Sequence, residues 1–232
     1  MRNLKKAHLL SKIFWTLGAL LLALGTKILL VELFYVSSGS MAPTLLSGDY
    51  VLVSKYAYGY NRHSLVWSSL WQGQWHVRPA TRGDIVVFHQ EGALSPWIKR
   101  IIGIEAEKIS WQGDHLAING APLRRLVQPF SPFYEEWLPG GKRYMTQHKM
   151  AKVSAKNLDH WQKVVVPPHS YFVLGDARQE SHDSRFSQVG MVDHGQLLGR
   201  AEWVLFSVIP ASESKAPWWQ RIRWDRLLKK VV

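Results

Sequence analysis

The feature that most constrains this chain lies at its start. An apolar run begins at Ile13, is interrupted at Lys27 and resumes at Ile28. From Ile13 to Leu33 the segment measures about 31 Å as an α-helix, close to the thickness of a bilayer core. Lys27 and Glu32 fall in its outer third, where a lysine can snorkel to the interface. Arg2, Lys5, Lys6 and Lys12 precede it. By the positive-inside rule the N-terminus is then cytoplasmic and everything after residue 33 lies outside. A cleavable leader competes with this reading, because the uninterrupted run is only 14 residues long and Ala23-Leu24-Gly25 offers small residues at a plausible cutting distance. A buried core helix fits the basic flank least well.

The formal net charge of +12 resembles that of a nucleic-acid binder, but its distribution argues against one. Residues 1–12 hold +4 and residues 215–232 hold +5, which leaves +3 for the 202 residues between. Basic ends with a nearly balanced body suit anionic lipid headgroups and not a nucleic-acid groove. The chain has no cysteine, which leans towards an exported protein, since free thiols are a liability in oxidising compartments.

From residue 48 onward the pattern is β. Short runs rich in Val, Ile and aromatics alternate with turn residues, and strands are predicted at 50–55, 84–88, 97–103, 108–111, 115–119, 171–174 and 200–208. Gln112-Gly113-Asp114 and Asn119-Gly120 are hairpin turn chemistry. Two stretches read as insertions: 61–79, with Trp67, Trp71 and Trp75, and 125–165, which is polar and less patterned. The expected fold is mainly β: an antiparallel core spanning 34–214 with a smaller inserted β region, preceded by a basic segment (1–12) and one transmembrane helix (13–33), and followed by a basic Trp-rich tail (215–232).

Three clusters carry candidate chemistry. The first is Ser37-Ser38-Gly39-Ser40-Met41-Ala42-Pro43, immediately after the apolar span. Gly39 and Pro43 predict a fixed turn that presents the Ser40 hydroxyl beside backbone N–H groups, as acyl transfer requires. A serine-rich linker is the plainer alternative. The second is Arg82-Gly83-Asp84 with its apolar run to Phe88, followed by Trp97-Ile98-Lys99-Arg100-Ile101. Lys99 stands inside an apolar strand, on the face of Trp97 and Ile101. Burial there disfavours its charged form and lowers its pKa, unless it snorkels from an edge strand. The third is the polar loop after 171–174, containing Gly175, Asp176, Arg178, Ser181, Asp183 and Arg185. Asp183 and Arg185 are spaced to pair; an exposed charged turn is the alternative.

In this order, the three clusters resemble type I signal peptidases (leader peptidases), serine proteases with a Ser/Lys dyad. The likeness covers roughly residues 34–60, 82–120 and 171–208, and excludes both insertions and the tail. It implies Ser40 as nucleophile and Lys99 as general base. It implies an oxyanion hole from the Ser40 N–H and the Ser38 hydroxyl, with Ser181 orienting Lys99. Arg100, Asp176, Asp183 and Arg185 would be structural supports. Phe34, Val36, Met41, Leu45, Val87 and Ile98 would line shallow pockets for small residues, as in Ala-x-Ala before the cut. No metal or cofactor is implied. The implied partners are signal-peptide-bearing precursors and membrane lipids, with no nucleic acid. The implied location is the inner (plasma) membrane, single-pass, with the catalytic region on the periplasmic side.

The chain departs from that pattern at Ser37, where proline is usual, at Ala177 and Gln179 in the last loop, and at 103–107. These departures leave the proposed catalytic groups in place and are compatible with a paralogue specialised for particular precursors, such as pilins. Rival readings are an anchored assembly factor that kept the fold without activity, a Ser–His hydrolase using His182 beside Ser181, and a cytoplasmic self-cleaving repressor. No Gly-x-Ser-x-Gly elbow supports the second, and the apolar N-terminus opposes the third. In the tail, Pro217 is placed to open a helix whose Trp and Lys/Arg residues have interfacial composition; a frayed basic end is the alternative.

Overall fold

The computed structural model describes residues 12, 14–19, 25, 30–60, 77–112, 115–127, 131–147 and 162–231. Its centre is a large antiparallel sheet in the order β1 (Val31–Tyr35), β2 (Asp49–Ser54), β14 (Leu197–Ser207), β3 (Ile85–Phe88), β4 (Trp97–Gly103), β12 (Ser170–Leu174) and β13 (Val192–Asp193), with β15 (Lys229–Lys230) also paired to β14. A four-stranded sheet has the order β11 (Gln162–Val165), β5 (Lys108–Gln112), β6 (His115–Ile118) and β7 (Ala121–Pro122). A three-stranded sheet has the order β10 (Arg143–Gln147), β9 (Phe133–Trp137) and β8 (Arg124–Val127).

β3 and β12 are buried along their whole length, with core on both faces, which explains why they are almost wholly apolar. Along β3 the residues alternate between two cores. Ile85 and Val87 join Val36, Met41, Leu45, Val51 and Val53 on one side, while Val86 and Phe88 join Ile101, Val173 and Leu197 on the other. A third core, with Ile102, Ile109, Leu116, Ile118, Phe172 and Leu174, packs the four-stranded sheet against the end of the large one. Asn119 and Gly120 both take positive φ, as a two-residue turn between β6 and β7 demands.

Three expectations are corrected. The first is the apolar span. It cannot run as a helix to Leu33, because Val31–Tyr35 is a strand paired residue by residue with Ser54 to Tyr50. Its alternation of half-buried and exposed side chains is that of an edge strand. Residues 14–19 are helical, but no helix among the described residues is long and apolar enough to cross a membrane. Much of 13–29 lies outside the described residues, as do 61–76.

The second correction concerns 125–165, which carries most of β8 together with β9, β10 and β11 and is not a sparsely patterned insert. Charge hid the strands. Glu136, in the middle of β9, is fully buried because Arg178 and Arg125 pair with it. The third is the tail, which forms no α-helix. It makes two 3₁₀ turns, Trp218–Arg221 and Trp224–Arg226, and then pairs as β15 with Trp203 and Val204 of β14.

Candidate active site

The turn that follows β1 delivers Ser40. The Ala42 N–H donates to the Gly39 carbonyl and the Leu45 N–H to the Met41 carbonyl, both at 2.9 Å. Met41 and Leu45 are driven into the core below. The Gly48 backbone, at φ +94°, closes the turn against Val208, where any Cβ would overlap the Val208 carbonyl.

Lys99, in the middle of β4, reaches this hydroxyl. Its Nζ lies 2.8 Å from Ser40 Oγ, and the residue is only 5% exposed. Burial pushes the Lys99 pKa down to about 8, with Arg185 acting in the same direction and Asp183 and Asp176 opposing it. The Nζ also sits 5.5 Å from the centre of the Trp97 ring. As an ammonium, Lys99 donates to Ser40; as an amine it can take the hydroxyl proton. Ser38 Oγ lies 3.3 Å from Ser40 Oγ.

The loop after β12 is bonded to the Ser40 backbone. The Ala177 N–H donates to the Ser40 carbonyl (3.1 Å). Asp176 accepts from Arg100 Nε and an Arg100 terminal nitrogen, each at 2.8 Å, and from the Thr44 hydroxyl. Arg100, next to Lys99 on β4, thereby ties the strand, the loop and the turn that carries Ser40 together. Asp183 pairs with Arg185 (2.8 Å) and accepts from the Gly175 N–H (3.1 Å). Gly175 has no room for a side chain, since a Cβ there would lie 2.2 Å from Ser181 Oγ and 2.5 Å from the Ser40 carbonyl oxygen.

Ser181 is buried next to this point, but its hydroxyl donates to the His182 carbonyl at 3.4 Å. Among the described hydrogen bonds none joins Ser181 to Lys99, and none joins the His182 ring to a serine. His182 stacks on Phe186 instead.

A cleft of about 540 Å³ opens over Ser40 and Lys99. Of the six apolar residues expected to line pockets, Val36, Met41 and Ile98 face it. Leu45 and Val87 are fully buried in the core underneath, and Phe34 packs against that core. Tyr35, Ser37, Pro96, Trp97, Glu180 and His182 complete the walls. Of these, Pro96, Glu180 and His182 had no periodic signal that could mark them, because they lie on irregular backbone.

A buried ionic network extends from the site into the three-stranded sheet. Arg100 stacks 4.4 Å from the Tyr144 ring of β10, and Tyr144 donates to Glu136 (2.8 Å). Arg178 pairs with both Glu136 oxygens, and Arg125 adds a third cation contact to that carboxylate (2.7 Å). Burial raises the Glu136 pKa, but Arg178 and Arg125 outweigh it and hold the carboxyl below its usual range. Backbone bonds from Gln147 to Asp176 and from Arg178 to Gln147 fasten the end of β10 to the same loop. Among the described residues no group of His, Asp or Glu side chains is placed to hold a metal ion.

Compared with known proteins, residues 9–206 match the family described as "Signal peptidase, peptidase S26". Signal peptidase I of Rickettsia typhi is 33% identical over 90% of this chain and 89% of its own length. Signal peptidase I of Rickettsia bellii is 30% identical over 90% of this chain and 81% of its own. A crystal structure of a signal peptidase I from Enterococcus faecalis V583 is 26% identical, with a TM-score of 0.34, and covers 53% of this chain and 97% of that one.

Proposed function

This chain belongs to the signal peptidase (peptidase S26) family, and on that footing we propose that Ser40 is its nucleophile and Lys99 its general base. The protein is a serine endopeptidase of the signal peptidase I type and removes signal peptides from precursor proteins. The observation that carries the dyad reading is the 2.8 Å approach of a buried lysine amine to a serine hydroxyl at the floor of an open cleft.

In the proposed reaction, neutral Lys99 takes the Ser40 proton as Oγ attacks the scissile carbonyl. The oxyanion is met by the Ser40 N–H and the Ser38 hydroxyl. The C–N bond then breaks and the Lys99 ammonium returns its proton to the leaving amine. Water, deprotonated by the same amine, hydrolyses the leader ester and frees Ser40. The proposed cut falls after small residues of Ala-x-Ala type, as the family resemblance implies, with Val36, Met41 and Ile98 lining the cleft that receives them. Asp176, Asp183, Arg100 and Arg185 fix the loop and strand that hold the dyad, and Ser181, buried beside Gly175, is assigned the orienting of Lys99 during the reaction.

Only the neutral amine is active, so kcat is expected to rise with pH through a midpoint near the Lys99 value of about 8 and to level off above it. Chelators are expected to leave the rate unchanged. A profile flat from pH 6 to 10, or loss of activity to a chelator with recovery on adding zinc, contradicts the reading.

Membrane attachment belongs to the same proposal: a single-pass chain, N-terminus cytoplasmic, with its body on the periplasmic side. Support comes from the apolar N-terminal segment and from aromatic residues left on the surface. Tyr35 and Phe206 are exposed on either side of the half-buried Tyr50, which stacks on Phe206, and Trp218, Trp219 and Trp224 are exposed on the tail beside basic residues. Aromatic and cationic side chains together suit the headgroup layer. Replacing Trp218, Trp219 and Trp224 together by serine is expected to weaken binding of the full chain to anionic vesicles at physiological salt by about tenfold, on the order of 0.5 kcal/mol per ring. Unchanged binding removes the tail from the lipid contact.

A further inference from the structure

The tail outside the family resemblance has a buried inner side, and it reaches the nucleophile turn. Arg226 is only 4% exposed. Its Nε donates to one oxygen of Asp49 at 2.9 Å, and one of its terminal nitrogens donates to the other. That same nitrogen donates to the Thr44 carbonyl at 2.9 Å. Asp49 is fully buried and also accepts the Leu46 N–H (2.8 Å), so the ion pair closes the far end of the turn that begins at Ser40. Arg223 adds a bond to the Ser47 carbonyl (2.8 Å) and one to the Ser207 hydroxyl (3.0 Å). Val231 then packs on the core cluster that contains Met41 and Leu45.

Thr44 is therefore gripped from both sides. Its hydroxyl is held by Asp176 and its carbonyl by Arg226. The Asp176 grip belongs to the loop and strand of the site described above; the Arg226 grip comes from a segment that shares no element with it. We infer that Arg226 is a positioning residue for Ser40, through Asp49 and Thr44, so that the C-terminal segment is part of the catalytic architecture in addition to any contact with lipid. This rests on the reading of Ser40 and Lys99 as the dyad. A displacement of about 1 Å between reacting groups can cost on the order of 10²-fold in rate. Freeing Thr44 on one side gives the turn that latitude, and because Ser40 lies against the Lys99 amine, a displaced turn covers that amine less.

The test uses the full chain in detergent, without lipid, and a soluble peptide with alanine at the first and third positions before the cut. Arg226→Ala is expected to lower kcat by about 10- to 100-fold, with KM changed less than about threefold. Its kcat–pH midpoint is expected to move alkaline, as Lys99 regains solvent. Arg226→Lys keeps a cation against Asp49 but has no fork to span both Asp49 and Thr44, and is expected to recover part of kcat. Assays run well below each variant's own melting temperature. If the alanine variant fails to fold, the lysine variant carries the test, with the same KM and midpoint criteria. A lower melting temperature with wild-type kcat and an unmoved midpoint overturns the inference and leaves Arg226 as a structural clasp. Ser40→Ala is assayed in parallel. Cleavage by that variant sinks the dyad reading itself, whereas a dead Ser40→Ala beside fully active Arg226 variants sinks only the role of the tail.

Discussion

Replacing Ser40 by alanine is expected to reduce turnover by on the order of 10⁴-fold or more, and replacing Lys99 by alanine, methionine or arginine to do the same. Nucleophile and base act as one unit, so losing either costs about as much as losing both. The arginine variant keeps the charge and most of the length but does not deprotonate near neutrality. The methionine variant separates function from stability. Burial holds the Lys99 pKa at about 8, below its unfolded value of roughly 10.4, so the unfolded chain binds the proton more tightly. The resulting penalty is fully present below pH 8 and fades as pH rises towards 10.4. Lys99→Met removes it and is expected to raise the melting temperature at pH 7 by a few degrees, with a gain that shrinks by pH 10. Thermal melts at the two pH values, beside a precursor-cleavage assay, check both halves. A methionine variant that is less stable at pH 7 by several degrees contradicts the desolvation argument, and an active Lys99→Arg contradicts the base assignment.

The second large effect lies at Glu136. Its carboxylate is fully buried between Arg178 and Arg125, and Arg178 is itself fully buried. Removing one partner of such a set leaves a cation without compensation in a dry interior, at a cost of about 3–5 kcal/mol. For a domain of this size that is roughly 6–20 °C in melting temperature. Glu136→Ala is expected to show it, and to slow cleavage as well, because Arg178 and Asp176 share the loop behind Ser40. Replacing Glu136 and Arg178 together by leucine and methionine is expected to return much of the stability without restoring the rate. Differential scanning calorimetry of the single and double variants tests this; a shift below about 2 °C for Glu136→Ala would mean that Arg178 finds other partners.

How much of this was legible in the sequence depends on where each residue's partner lies. β4 was predicted at its observed bounds, since Trp97 to Gly103 is a continuous apolar run broken only by Lys99 and Arg100. The Asp183–Arg185 pair was readable because the two stand two residues apart. Glu136 was not, because nothing near it in β9 accounts for a buried carboxylate; its partner Arg178 is 42 residues on. The tail misled for the same reason. Arg226 reads as one more surface cation until Asp49, 177 residues earlier, is brought beside it. The apolar segment misled in its last residues, where Val31 to Leu33 satisfies hydropathy equally well as helix or edge strand, and the alternation through Tyr35 decides for the strand.

The absence of cysteine allows one direct test of the central claim. Ser40→Cys places a single thiol in the chain, at the proposed nucleophile. The variant is alkylated with iodoacetamide, the adduct is located at residue 40 by peptide mass mapping, and the protein is assayed on a signal-peptide-bearing precursor. The account predicts no cleavage above background by the alkylated protein, while wild type treated identically keeps its full rate. Cleavage by the alkylated variant at a rate near wild type would show that the chemistry does not pass through residue 40.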